Sequence, residues 1–131
     1  MPKLTLQTAF NKIVAHFEKM PGPSAAPKPG ATYNQCLYRT LDGNRCFVGA
    51  LIPNRLYRKA FENRSISSLL GGSTPVPKLQ ELFSEIPPAS LSSLQTIHDN
   101  WDSAKQSKSH VRTYLRDFAE SHNLSYQEPQ A

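Results

Sequence analysis

Cys36-Leu37-Tyr38-Arg39-Thr40-Leu41-Asp42-Gly43-Asn44-Arg45-Cys46-Phe47-Val48-Gly49-Ala50-Leu51-Ile52 is the stretch on which the fold turns. Asp42-Gly43 stands between two runs of apolar and β-prone residues. Because glycine supplies the positive φ that tight hairpin turns require, the pattern predicts an antiparallel β-hairpin over residues 36–52. Its second strand is apolar through Phe47, Val48, Leu51 and Ile52 and is therefore expected to be buried. Gly49 within it marks a bulge or a close approach of another backbone.

Outward from the hairpin the chain reads as helix and loop. On its N-terminal side, Leu6, Phe10, Ile13, Val14, Phe17 and Met20 recur at spacings of three and four, which makes one apolar helical stripe. Thr5 is placed to cap this helix and Pro21-Gly22 to stop it. Residues 21–35, PGPSAAPKPGATYNQ, read as a mobile loop with little to bury. On the C-terminal side, Pro53 opens a helical stretch with Leu56, Tyr57, Ala60 and Phe61 on one face. Ser65 caps a short turn carrying Ile66, Leu69 and Leu70, closed by Gly71-Gly72. Thr74-Pro75 begins another short helix with Leu79, Leu82 and Phe83 inward, ended by Pro87-Pro88. Ser90 is the expected cap of a helix bearing Leu91, Leu94, Ile97, His98 and Trp101. Ser107 or Ser109 starts the last helix, with Val111, Tyr114, Leu115, Phe118 and Ala119, and Asn123 stops it. The class is α+β, mainly α: about five helices packed around one hairpin. Residues 1–124 form one globular domain containing the 21–35 loop, and 125–131 form a frayed tail.

A chain of 131 residues buries enough surface to fold without metal or disulfide. No apolar run approaches the roughly 18–20 residues that span a bilayer, and residues 1–20 are amphipathic rather than a signal peptide. The expected location is the cytoplasm, where Cys36 and Cys46 stay reduced. A two-residue Asp42-Gly43 turn sets Cys46 opposite Arg39 and Arg45 opposite Thr40. The two thiols are then about 10 Å apart along the strand and on opposite faces, whereas a three-residue loop puts them on one face but still beyond disulfide reach.

The run Cys36-Leu37-Tyr38-Arg39, then Asp42-Gly43, then Cys46-Phe47-Val48-Gly49-Ala50-Leu51-Ile52-Pro53 resembles a group of small bacteriophage and bacterial proteins. These carry a Cys-x-Tyr-Arg…Asp-Gly…Cys-x-Val-Gly-x-Leu-Ile-Pro hairpin. Leu94-Gln95-Thr96-Ile97-His98-Asp99 is similar to their later Leu-Gln-x-x-His-Asp segment. The resemblance spans about residues 6–122 and implies a phage-type accessory gene acting in the cytoplasm of a bacterial host. It carries over no activity and no functional residue.

The net charge of +5 is concentrated between residues 39 and 64, where Arg39, Arg45, Arg55, Arg58, Lys59 and Arg64 face only Asp42 and Glu62. Arg39, Arg45, Arg55, Tyr57, Arg58 and Lys59 are the candidate partner-binding residues, since Arg and Tyr anchor interfaces. The expected function is binding and inhibition of a host protein or protein complex, without catalysis, cofactor or membrane. Two alternatives use the same residues differently. Segment 39–64, with Tyr38, Tyr57 and Phe61 interleaved, could bind nucleic acid by charge and base stacking. Cys36, Cys46 and His98 could form a thiol nucleophile or a zinc site, although the cysteines lack a tight Cys-x₂₋₄-Cys spacing. The bland reading of His98 is a histidine at a core edge with one ring nitrogen hydrogen-bonded. Gly71-Gly72-Ser73-Thr74 lacks the spacing of a phosphate-binding loop.

Overall fold

The computed structural model of the chain describes residues 3–27, 30, 34–40, 43–62 and 64–126. Helix α1 spans Leu6–Lys19, and the Thr5 hydroxyl accepts a hydrogen bond from the Thr8 N–H to satisfy one of its free donors. Its apolar stripe is the one read from the sequence, with Phe10, Ile13 and Phe17 fully buried. After the Pro21-Gly22 stop, β1 (Ala25–Pro27) pairs antiparallel with β2 (Asn34–Cys36), Ala25 opposite Cys36.

The α+β, mainly α class holds, but the hairpin lies earlier in the chain than the expected 36–52. Leu41 and Asp42 of the expected turn lie outside the described residues, and among those described on either side of it Arg39 and Arg45 pair as an isolated bridge. The Cys46 N–H still bonds the Tyr38 carbonyl at 3.4 Å, and there the ladder ends. The Cys46 thiol instead caps helix α2 (Phe47–Leu51), accepting from the Gly49 N–H at 3.2 Å. The run Phe47, Val48, Leu51 and Ile52 fits one buried helical face as well as a buried strand, and periodicity alone does not separate the two. Gly49 is the close approach the sequence suggested: a Cβ there would overlap the Tyr38 carbonyl oxygen.

The helical stretch expected after Pro53 is a turn followed by a single 3₁₀ turn, Lys59–Phe61. Leu56 and Phe61 are buried while Ala60 is exposed, so the expected face is broken. Helix α3 (Ile66–Gly71) has the Ser65 cap and the Gly72 stop. Helix α4 (Pro77–Leu82) starts after Val76 rather than at Thr74-Pro75. Helix α5 (Pro88–Ser103) begins on Pro88, which suits a first-turn position that needs no N–H, so Ser90 lies inside the helix and is buried. Helix α6 (Lys108–Ser121) is capped by Ser107, and Asn123 ends it with φ of 55°.

The core is an aromatic junction of α1, α2 and α5. Phe17 meets Phe47 and Trp101 edge-on at 5.8 and 5.2 Å between ring centroids, and Phe47 meets the His98 ring at 5.3 Å. Such edge-to-face pairs add to area burial. The 21–35 segment buries more than its composition suggests, because Ser24 is fully buried; residues 28, 29 and 31–33 lie outside the described residues. Likewise the first two residues of the expected frayed tail are docked, while 127–131 lie outside the described residues. The Gln7 amide accepts from the Ser125 N–H and donates to its carbonyl, and Tyr126 packs on Phe10. No helix is long and apolar enough to cross a membrane.

Candidate functional site

Position 98 is where the fold concentrates its polar chemistry. His98 is fully buried on the inner face of α5. The Ser24 N–H donates to its Nε2 at 2.9 Å, while Nδ1 lies 3.1 Å from Asp99 Oδ1. A nitrogen that accepts cannot carry the proton, so the imidazole proton sits on Nδ1 and is donated to Asp99. The same Asp99 oxygen accepts from the Gln95 amide at 2.9 Å, one helical turn away. The Cys36 thiol also hydrogen-bonds the carboxylate. Burial alone raises the Asp99 pKa, but donation from His98, Cys36 and Gln95 outweighs it and holds the carboxyl below its ordinary value.

Both cysteines line one cleft of about 420 Å³ between β2, α3 and α5. The opposite-face placement expected from a two-residue turn is thus corrected, and the one-face alternative is the one that fits. Arg39 pairs with Arg45 rather than with Cys46, which shifts the register by one. The cysteines are free, Cys36 half-buried and Cys46 buried. Burial drives both thiol pKa values up, that of Cys46 to about 12, and the Asp99 charge pushes Cys36 the same way. A nucleophilic thiol needs the opposite shift.

Zinc at His98 would have to displace an existing hydrogen bond. Cys36, His98 and Asp99 offer ligand atoms within 4.8 Å of one another, so the structure does bring Cys36 and His98 together. The His98 atom beside Asp99 is Nδ1, which carries the proton. Binding metal through Nδ1 would move that proton to Nε2, against the Ser24 N–H that already donates there. The residues present therefore favour a hydrogen-bonded core histidine over a ligand.

The basic segment divides into an inner and an outer part. The Arg39 guanidinium donates to the Ile52 carbonyl at 2.8 Å and lies 4.3 Å from the centre of the Tyr57 ring. Its backbone N–H, that of Tyr38 and the Tyr57 hydroxyl all donate to the Glu62 carboxylate. Arg64 donates to the carbonyls of Ser68 and Thr74. Tyr38 and Phe61 are buried and Tyr57 is half-buried. Of the six candidate partner-binding residues, Arg39 and Tyr57 thus hold the fold together, and half-buried Arg45 donates to Asn54 Oδ1 at 3.0 Å. Arg55, Arg58 and Lys59 are exposed. Arg55 shares a surface hollow with Lys78 of α4.

Sequence reasoning missed Ser24, Gln95 and Glu62. Ser24 lay in a stretch read as loop. Glu62 was visible as one of only two acids in the basic segment, which is the signal for a carboxylate with an internal task. No family model matches the chain, and neither a curated protein nor a solved structure matches it.

Proposed function

We propose that the protein is a small phage-type accessory protein that binds and inhibits a host protein complex in the bacterial cytoplasm, without catalysis. The observation that carries this reading is the fate of the reactive groups: Cys36, Cys46 and His98 are each held in a protonation or hydrogen-bonded state that opposes nucleophilic and metal chemistry. Meanwhile Arg55, Arg58 and Lys59 stay exposed along the turn that leads into the 3₁₀ segment. Arg58 donates to the carbonyls of Arg55 and Tyr57, which orders its long side chain before a partner arrives and lowers the entropy cost of binding. An acidic protein surface is the complementary partner. The nucleic-acid alternative loses the stacking platform it needs, because the Tyr38 and Phe61 rings are buried.

The test is capture from bacterial extract by the wild-type chain and by the double variant Arg55→Glu/Arg58→Glu, with nuclease treatment throughout. Both side chains are exposed, so thermal melting is expected to be unchanged while a stoichiometric protein partner is lost. Retention of that partner by the double variant sinks this surface assignment. Recovery only of nucleic acid, released steeply as salt rises, replaces the reading with nucleic-acid binding.

A further inference from the structure

The cleft between β2, α3 and α5 has the size of a small-ligand site, about 420 Å³. Its lining includes half-buried Leu37 and Asp99 and exposed Thr96, with Tyr38 and Ile66 buried behind them. Two of its side chains are ionised, and they are not equivalent. Arg64 spends its guanidinium on Ser68 and Thr74. Asp99 is turned the other way: its side chain keeps 45% exposure, and no Lys or Arg among the described residues forms an ion pair with it. The chain carries 15 Lys and Arg against 10 Asp and Glu, so a carboxylate without a Lys or Arg partner in a concave wall is not for want of cations.

This carboxylate is also preorganised. Oδ1 accepts from His98 and from Gln95, which fixes the group on α5 before any ligand arrives. With Oδ1 occupied, a guanidinium cannot pair in its two-point fork, whereas a compact ammonium needs a single acceptor. The thiols beside it carry no charge, Cys36 hydrogen-bonding the carboxylate and Cys46 being buried, so neither repels the ammonium nor competes with it as a charge.

We propose that this cleft binds a primary alkylammonium group, its cation on Asp99 and its stem against Leu37. The group can arrive as a free small amine or as a lysine side chain of a partner. The site is separate from the Arg55–Lys59 segment and does not depend on it.

The experiment is a two-dimensional amide NMR titration of the full chain with n-butylammonium, with its neutral counterpart 1-butanol, and with the tripeptide acetyl-Gly-Lys-Gly-amide. Affinity on the order of 1 mM is expected for a cation of so few atoms. Shifts should concentrate in residues 35–38 and 92–99, with 1-butanol at least about tenfold weaker, ~1.4 kcal/mol. Asp99→Asn should weaken butylammonium by about tenfold. Thr96→Trp, which fills the cleft from an exposed position and leaves Asp99 in place, should weaken it equally if Asp99→Asn disturbs folding. Tighter binding of the tripeptide assigns the site to a lysine side chain, and tighter binding of butylammonium to a free amine. Equal binding of alcohol and ammonium, shifts elsewhere, or indifference to both variants overturns the proposal.

Discussion

At the scale of single residues, Gly49 sets the geometry from which the cleft is built. It lies in α2 directly under the backbone of Tyr38, and a Cβ would lie 2.9 Å from the Tyr38 carbonyl carbon. That neighbour is backbone, so relief requires moving the strand or the helix. Gly49→Ala is expected to destabilise the protein by about 3 kcal/mol, the upper part of the range for overpacking, despite the better helix propensity of alanine. Urea denaturation measures it; a change below about 1 kcal/mol would show that the two segments are not locked together. The sequence marked this position, because a glycine amid apolar residues signals close approach. It could not mark His98 with the same clarity. Its place beside Ile97 gave a core-edge histidine, but the partner that fixes its tautomer, the Ser24 N–H, is 74 residues away. A backbone donor leaves no trace in residue identity.

At the scale of elements, helices were legible where capping and periodicity agreed. Thr5, Ser65 and Ser107 all cap where serine or threonine preceded an apolar stripe. Ser90 misled because Pro87-Pro88 before it starts a helix as readily as it ends one. The 47–52 run misled because its length is too short for periodicity to decide. The contact of α6 with α1 was not readable in advance, since it joins residues far apart in sequence through the stacked rings of Phe10 and Phe118 and one ion pair. Arg112 there grips Glu18 with both prongs, at 2.9 and 2.7 Å, and the Arg112 hydrogen bond holds the Glu18 carboxyl below its ordinary pKa. A carboxylate with a lowered folded pKa contributes stability above its unfolded value, about 4.3, and loses it as pH falls through the folded one. Arg112→Ala is therefore expected to cost about 1 kcal/mol at pH 7, since the pair is partly exposed. The gap between variant and wild type should narrow as pH falls below about 4. Denaturation midpoints at pH 7 and pH 3 check this, and a gap that persists at pH 3 would assign the effect to the Phe17 ring, whose centre lies 5.9 Å from the Arg112 guanidinium carbon.

At the scale of the whole molecule, stability rests on a core with no covalent staple among the described residues, since Cys36 and Cys46 are free. Reduction should leave the melting temperature unchanged, and the thiols should report on unfolding. Cys46 is 1% exposed and burial raises its pKa to about 12, against about 8.5 for an unfolded cysteine. Below pH 8.5 both states hold the proton and the linkage is silent. Above it the unfolded thiol ionises while the folded one does not, so the unfolded state binds fewer protons and stability falls as pH rises. A decline beginning near pH 8.5 is expected in the wild type and should be reduced in Cys46→Ser. Maleimide labelling of Cys46 should then proceed only through unfolding. Its rate should rise in proportion to the unfolded fraction as urea is added, in step with the loss of helical circular dichroism. Cys36, half-buried with its thiol bonded to Asp99, should label first and less steeply with urea, through local opening of the β1–β2 edge. Rapid labelling of Cys46 in native buffer at pH 7 would mean that the cleft opens on its own, and the protonated, unreactive thiols on which the non-catalytic reading rests would have to be abandoned.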